Sequence, residues 1–359
     1  MLRVCLVGLA AGGHSGVPRY AAALTAAMDR VVDEFPDLSL RLLTTRRGAE
    51  ATGARAMEVD VVRAASSGPS RVLGEQGRSR RAEADLLHFF DLTGPILARR
   101  RAFVTTVHDA ALRHGFEGVR VLHKRVLQPW ALKHAVAAVA VSAFAREEAV
   151  RMFGADGDRI EVIHSGPGLV ADAAGAVPVA GDPYVLYVGN LSAHKNLPFL
   201  IRAFERIGDH GRLILVGGRG ERFEEVRRAA ESSSARDRIE IRRDAPDSEV
   251  DSLYRGASML ALPSRYEGFG FTALEAMSRG CPVLESDIPA LREVSGDGAW
   301  LLPVDDRESW AEAMRRVLAD DDLRDDLRRR GAETVRAYSW DETARRVCRL
   351  FLRVGATLR

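Results

Sequence analysis

Short runs of β-branched and leucine residues recur along the chain, each followed by a longer stretch whose apolar positions repeat at helical spacing. The pattern predicts strands at 2–9, 38–44, 85–89, 103–107, 137–141 and 159–163, with helices near 17–34, 119–134 and 143–152. A second series begins at 184–188 and continues through 212–216, 238–241, 259–262 and 283–285, with helices near 196–207, 221–232, 247–255 and 270–279. Strand–helix alternation of this kind gives parallel sheets covered on both faces, and two series give two doubly wound α/β domains. Beyond residue 305 the pattern is helical to the end, and Trp340, Ala344, Val347, Phe351 and Val354 fall on one apolar face.

Residues 165–183 are small, punctuated by Pro and Gly, and carry no repeating apolar face, which reads as a linker. The expected organisation is an N-terminal domain over 1–168, a linker over 169–182, a C-terminal domain over 183–335 and a terminal helix over 336–359. Composition adds exclusions. With 359 residues, 46% of them hydrophobic and 28% charged, the chain can bury a sizeable core and is not intrinsically disordered. A net charge of +2 gives no electrostatic argument for nucleic acid, and no such partner is expected. Cys5, Cys281 and Cys348 lie far apart beside apolar residues, without metal-ligand spacing, so buried thiols in a reducing compartment are expected. There is no cationic leader before an apolar stretch, and no apolar run of about 18 residues, so a cytoplasmic location is expected.

Three βα junctions carry candidate chemistry. At the first, Gly8 to Val17 includes Gly12, Gly13 and Gly16; such glycines let backbone approach an anion at a helix N-terminus, or serve turn geometry alone. The spacing does not match G-x-G-x-x-G. At the second, Gly189-Asn190-Leu191 leads to His194-Lys195-Asn196 before a helix. Lys195 is one of only three lysines among 52 cationic side chains, and its charge beside a helix start suits a diphosphate; an exposed loop lysine is the alternative. The third is the richest: Pro263-Ser264-Arg265-Tyr266-Glu267-Gly268-Phe269-Gly270-Phe271 opens a helix that carries Glu275. At about 1.5 Å per residue Glu275 stands only roughly 7 Å beyond the helix start, so both carboxylates can meet one extended ligand. Ionised carboxylates accept strong hydrogen bonds from hydroxyls, and the amides of Phe269, Gly270 and Phe271 suit phosphate oxygens. His108, at the end of the 103–107 strand, reads on its own as a turn histidine bonded to a backbone carbonyl.

These segments resemble the Glu-x7-Glu signature of retaining GT-B glycosyltransferases of family four. The flanks agree: Leu274-Glu275-Ala276-Met277, Gly280-Cys281-Pro282-Val283, Leu291-Arg292-Glu293-Val294, and Tyr338-Ser339-Trp340 near the C-terminus. Gly189 through Asn196 is similar to the family's Gly-x-Leu-x-x-x-Lys-Asn element, and Val141-Ser142 through Arg146 to one in the N-domain. The resemblance implies two Rossmann-like domains facing across a cleft, the first binding an acceptor, the second a nucleotide sugar, with the terminal helix crossing back to the N-domain. It implies that Lys195 pairs with the diphosphate, Glu275 grips the ribose and Glu267 contacts the donor sugar. Gly16 and its neighbours would close over the phosphates, and His108 would face the transferred sugar. Many family members carry arginine where this chain has Asn190; His194 or Arg265 would stand in for it. No metal and no cofactor are expected, the donor being a nucleoside diphosphate sugar and the acceptor a small molecule, a glycan or a lipid-linked molecule. Arg243, in the loop after the 238–241 strand, is the place to look for contact with the base.

Other readings stay open at this level. A nucleotide-sugar epimerase shares the architecture, and a silent sugar-binding homologue would keep the fold while losing turnover. A nicotinamide-dependent dehydrogenase is disfavoured by the missing glycine fingerprint and by Leu42-Leu43-Thr44-Thr45-Arg46, which has no acidic residue at the strand's end. Finally, Arg99-Arg100-Arg101 and the stretch from Arg113 to Lys133, with Leu122, Val126, Leu127 and Trp130, form a basic amphipathic region. It suits either peripheral contact with the inner face of a membrane or plain solvation.

Overall fold

The computed structural model describes residues 1–9, 11, 16–63, 77–96, 101–109, 119–168, 181–217 and 222–358, with 119–125 by their backbone. The described residues fall into two compact units, one drawn from 1–166 together with 338–358 and the other Pro167–Ala337. The expected linker lies mostly outside the described residues.

In the first unit β1 (Leu2–Val7), β2 (Leu38–Thr44), β3 (Glu58–Val61), β4 (Leu86–Phe89), β5 (Phe103–Val107), β6 (Ala137–Ala140) and β7 (Ile160–Val162) form one sheet. Its order is β3-β2-β1-β4-β5-β6-β7, and every pairing is parallel. Strands β4, β5 and β6 are buried at every position, as central strands of a doubly covered sheet must be. Around them lie α1 (Gly16–Val31), α2 (Arg46–Thr52), α3 (Val119–His134) and α4 (Ala143–Phe153). Helix α4 shows how sequence sets the ends: the Ser142 hydroxyl accepts from the Ala145 amide at 2.9 Å, and Gly154 stops the helix at φ 62°.

The second unit contains β8 (Tyr184–Val188), β9 (Arg212–Val216), β10 (Ile239–Arg242), β11 (Met259–Leu262), β12 (Val283–Ser286) and β13 (Trp300–Leu302), all parallel, in the order β10-β9-β8-β11-β12-β13. Its helices are α5 (Leu197–Phe204), α6 (Phe223–Glu231), α7 (Asp247–Gly256), α8 (Phe271–Ser278), α9 (Pro289–Ser295), α10 (Arg307–Ala319) and α11 (Asp321–Val335). The last helix, α12 (Trp340–Thr357), belongs to the first unit and packs on α1 and β1. Ala344, Val347 and Phe351 are fully buried there, and Gly355 sits so close that a Cβ would meet the Leu2 side chain at 2.6 Å. Ion pairs from Arg345 to Glu34 and from Arg30 to Asp341 flank this contact. Exposed pairs of this kind contribute at most about 1 kcal/mol each, so the apolar face carries the docking.

Four elements go beyond the pattern read from sequence. Strands β3 and β13 are short edge strands; β3 alternates polar and apolar residues in place of an apolar run, and β13, Trp300-Leu301-Leu302, has only three residues. Helix α2 is built from Arg-Arg-Gly-Ala-Glu-Ala-Thr, which has no apolar stripe; the Thr45 hydroxyl caps it by accepting from the Gly48 amide at 3.2 Å. Helix α9 has only seven residues, too few to show a periodicity.

Candidate functional site

In the second unit β8 lies between β9 and β11, so successive loops leave the sheet to opposite sides of one point. Such a switch point opens a crevice outside the carboxyl ends of the strands. The loops after β8, β9 and β10 are laced together there: the Gly189 amide donates to Val216 O at 3.0 Å and the Gly217 amide to Arg242 O at 2.9 Å. The Tyr187 hydroxyl donates to the Asn190 carbonyl at 2.7 Å. A Cβ on Gly217 would lie 1.9 Å from the Gly189 carbonyl oxygen, closer than any relaxed contact. Gly217→Ala is therefore expected to cost about 1–3 kcal/mol, the usual penalty of overpacking, read as a fall in urea midpoint. An unchanged midpoint would show that the two loops part freely.

Lys195 ends a short 3-10 turn whose C-cap, Asn196, adopts φ 58°. Its ammonium reaches Glu267 Oε1 at 2.5 Å, with the two side chains only 14% and 15% exposed. The same oxygen accepts from the Ser264 hydroxyl at 2.7 Å. Burial would raise the Glu267 carboxyl, but the Lys195 charge and hydrogen bond, the Ser264 hydroxyl and His194 together hold it below the usual range. Glu267 is thus ionised at neutral pH and is the partner of Lys195. The two loops are also joined through their backbones, the Arg265 amide donating to His194 O at 2.8 Å. Asp305 completes this wall: it accepts from Asn196 Nδ2 at 3.1 Å and from Arg265 Nη2 at 2.7 Å. The Arg265 charge, offered above as a stand-in for the family arginine, is engaged by Asp305. Asn190 is exposed; its side-chain oxygen accepts from the Ser192 amide at 3.3 Å and holds the turn.

Helix α8 begins immediately after this loop. Gly270 adopts φ 111°, and a Cβ there would lie 2.8 Å from Leu291 Cδ2, so conformation and space both demand glycine. Phe269 is buried and its ring packs at 4.8 Å on that of Phe271, bracketing the helix start; Gly268 is half-buried beside them. One turn on, Glu275 is 5% exposed, not a solvated surface residue. The Tyr254 hydroxyl, from α7, donates to Glu275 Oε2 at 2.9 Å. Arg243 follows β10 and is exposed, its guanidinium lying 4.5 Å from the Phe223 ring centroid.

One buried group has no counterpart in the sequence reading. Glu285, on β12 and in register with Leu262 of β11, is fully buried, and neither carboxyl oxygen has a well-formed hydrogen bond among the described residues. Burial pushes its pKa up to about 8; the Ser295 hydroxyl lowers it and the Glu267 charge raises it. Nothing in the apolar pattern of Pro282-Val283-Leu284 announced a carboxyl inside the sheet.

The first unit holds the remaining candidates. Gly16 is exposed at the start of α1, and Gly13 lies outside the described residues. His108 follows β5, half-buried, and donates from Nε2 to the Phe90 carbonyl at 2.8 Å, the turn arrangement its sequence suggested. Burial holds its pKa below the ordinary value, so the ring is neutral at pH 7 and presents Nδ1 as an acceptor. The Tyr20 ring meets it edge-on at 4.5 Å. Of the basic region, 97–100 and 110–118 lie outside the described residues. Arg101 donates to the carbonyls of Ala82 and Ala84 at 2.9 and 2.6 Å, and Trp130 stacks on Phe103 at 6.0 Å, so both are committed to the unit itself. Val126 is 62% exposed. Among the described residues no helix is long and apolar enough to cross a membrane. All three cysteines are buried and unpaired by disulfide, with burial raising each thiol to about 12.

Two Rossmann-like parallel sheets with a Lys–Glu pair at one switch point define a GT-B glycosyltransferase fold. Residues 175–334 match the family described as glycosyl transferases group 1, and residues 41–167 match glycosyltransferase family 4. The chain is 30% identical over 309 residues to a D-inositol 3-phosphate glycosyltransferase of Nocardia farcinica, covering 77% of this chain and 68% of that protein. It is 30% identical over 256 residues to the O-antigen chain mannosyltransferase B of Escherichia coli, covering 66% and 67% respectively. The chain belongs to the group 1 family of glycosyltransferases. Among solved structures, sucrose-phosphate synthase from Thermosynechococcus elongatus superposes with a TM-score of 0.75 at 20% identity over 99% of this chain and 100% of that one. Anabaena Alr3699/HepE, solved in complex with UDP and glucose, gives 0.75 at 16% over 98% and 100%.

Proposed function

We propose that the chain transfers a sugar from a nucleoside diphosphate sugar to an acceptor hydroxyl with retention of anomeric configuration and without a metal. The observation that carries this is the Lys195–Glu267 pair at the β8/β11 switch point, immediately before a helix that carries the buried Glu275. An ammonium has three donors, of which Glu267 takes one, so Lys195 can hold a phosphate oxygen while keeping its carboxylate partner. As the bond from the anomeric carbon to the diphosphate oxygen breaks, charge gathers on that oxygen. Lys195, the amides of Phe269, Gly270 and Phe271 and the positive end of α8 are fixed in place to neutralise it. The acceptor oxygen then bonds to the anomeric carbon from the face the diphosphate leaves, and its proton passes to the departing phosphate. Glu267, kept ionised by Lys195, stabilises the positive sugar.

Glu275 is assigned to the ribose hydroxyls. Glu275→Gln is expected to weaken nucleoside diphosphate binding by about tenfold, the loss of one charged hydrogen bond, with a smaller change in kcat. Titration calorimetry checks it; unaltered affinity would remove Glu275 from the ribose. UDP is the first nucleotide to try, because the Anabaena neighbour binds it. Stereochemistry is read from the anomeric proton of the first product by NMR, and metal independence from turnover in excess chelator.

A further inference from the structure

Helices α7 and α8 of the second unit are tied together by two polar couplings in parallel. Asp251 and Tyr254 stand three residues apart on one face of α7, while Glu275 lies on α8 and Arg279, four residues further on, is the C-cap of that helix. Asp251 is fully buried and receives Arg279 Nε at 2.7 Å, with Arg255 Nε at 2.8 Å on its other oxygen. Beside this pair the fully buried Tyr254 donates to Glu275 Oε2 at 2.9 Å. Gly168 covers both: a Cβ there would lie 3.2 Å from Glu275 Cγ and 3.3 Å from Arg279 Nη1, and its φ of 74° suits glycine. The ion pair therefore fixes how α8 is seated against α7, and the phenol fixes the rotation of the carboxyl group within that seat.

We infer that Tyr254 is a positioning residue for diol recognition: by holding one oxygen of Glu275 it turns the carboxylate to accept from both hydroxyls of a nucleotide's ribose. This rests on the assignment of Glu275 to the ribose made above. A carboxylate has about four acceptor positions, and the phenol occupies one of them, so this bond orients the group at the expense of one position only. Burial also matters. A carboxyl swinging free in a site this dry would have to be ordered by the ligand at each binding event, and preorganisation avoids that cost.

The test compares affinities for UDP and GDP with those for their 2′-deoxy forms, by calorimetry on the full chain. The expected result is a preference for the ribonucleotide in the unaltered protein, and a preference smaller by about five- to tenfold in Tyr254→Phe, as befits a hydrogen bond to a charged group. Tyr254→Phe added to Glu275→Gln should cause no further reduction, since the phenol acts through the carboxylate. A merely structural role would weaken ribo and deoxy forms alike. If the unaltered protein itself shows no ribose preference, or binds neither nucleotide, the assignment of Glu275 fails rather than that of Tyr254. If the preference exists and Tyr254→Phe leaves it whole, or the two substitutions act additively, the role of Tyr254 is overturned. Should the phenylalanine variant not fold, 3-fluorotyrosine at position 254 keeps the hydroxyl and makes it a stronger donor, so the ribose preference is expected to rise instead of fall, and an unchanged preference would overturn the role of Tyr254.

Discussion

Lys195→Ala is expected to lower kcat by about 10²–10³-fold, the usual consequence of removing one preorganised donor from a developing oxyanion. The reason lies in the pairing. Lys195 and Glu267 meet at 2.5 Å with both side chains largely shielded from water, so the charge acts in a medium that screens it weakly. Two consequences separate this from a loss of stability. Without the ammonium, burial is the largest influence left on Glu267, so its pKa should rise and the residual activity of the variant should fall off at a higher pH than in the unaltered enzyme. Lys195→Arg keeps the charge but changes its shape, and should recover part of the rate. The check is steady-state kinetics across pH with melting temperature measured alongside. Near-normal turnover in Lys195→Ala would reject the role.

Glu285→Gln is expected to stabilise the protein, increasingly so as pH rises. The sign follows from the raised pKa. In the unfolded chain the carboxyl ionises near 4.5, whereas in the folded protein it stays protonated up to about 8. Folding therefore holds a proton that the unfolded state releases, and stability falls between those two values, then levels off. A gap of 3.5 units, 8 less 4.5, corresponds to roughly 5 kcal/mol at its fullest. Compactness of the unfolded chain and relaxation of the site reduce this, so the difference between variant and parent should grow from near zero at pH 4.5 to about 3 kcal/mol at pH 8. Urea unfolding of the two proteins at a series of pH values measures it. A difference that does not depend on pH would mean that the carboxyl finds a partner in solution. Position 285 lies beside the strand that feeds the Glu267 loop, so the buried carboxyl is a cost in stability at the edge of the site.

The sequence shows the architecture well because doubly covered parallel strands are predominantly apolar: β8 and β11 are so throughout, and β4, β5 and β9 are interrupted only by His88, by Thr105 and Thr106, and by Arg212. It fails for β3 and β13, where one side is open and the apolar run is absent or too short. At the site, the residues visible in advance were those that break a local rule: a rare lysine before a helix, and glycines opening one. What surrounds them was not visible. Tyr254 reads as an ordinary core tyrosine in Ser252-Leu253-Tyr254-Arg255, and Asp305 as a turn residue; their partners are 21 and 40 residues away, distances that local pattern does not span. Glu285 was missed because its two apolar neighbours hid it.

In the proposed reaction the second unit neutralises a diphosphate at Lys195 and at the start of α8. A crystal structure of the protein with a bound nucleoside diphosphate sugar tests it directly. Diphosphate oxygens are expected within hydrogen-bond reach, about 3 Å, of Lys195 Nζ and of the amides between Phe269 and Phe271. A diphosphate bound elsewhere, with the Lys195–Glu267 pair untouched, would contradict it.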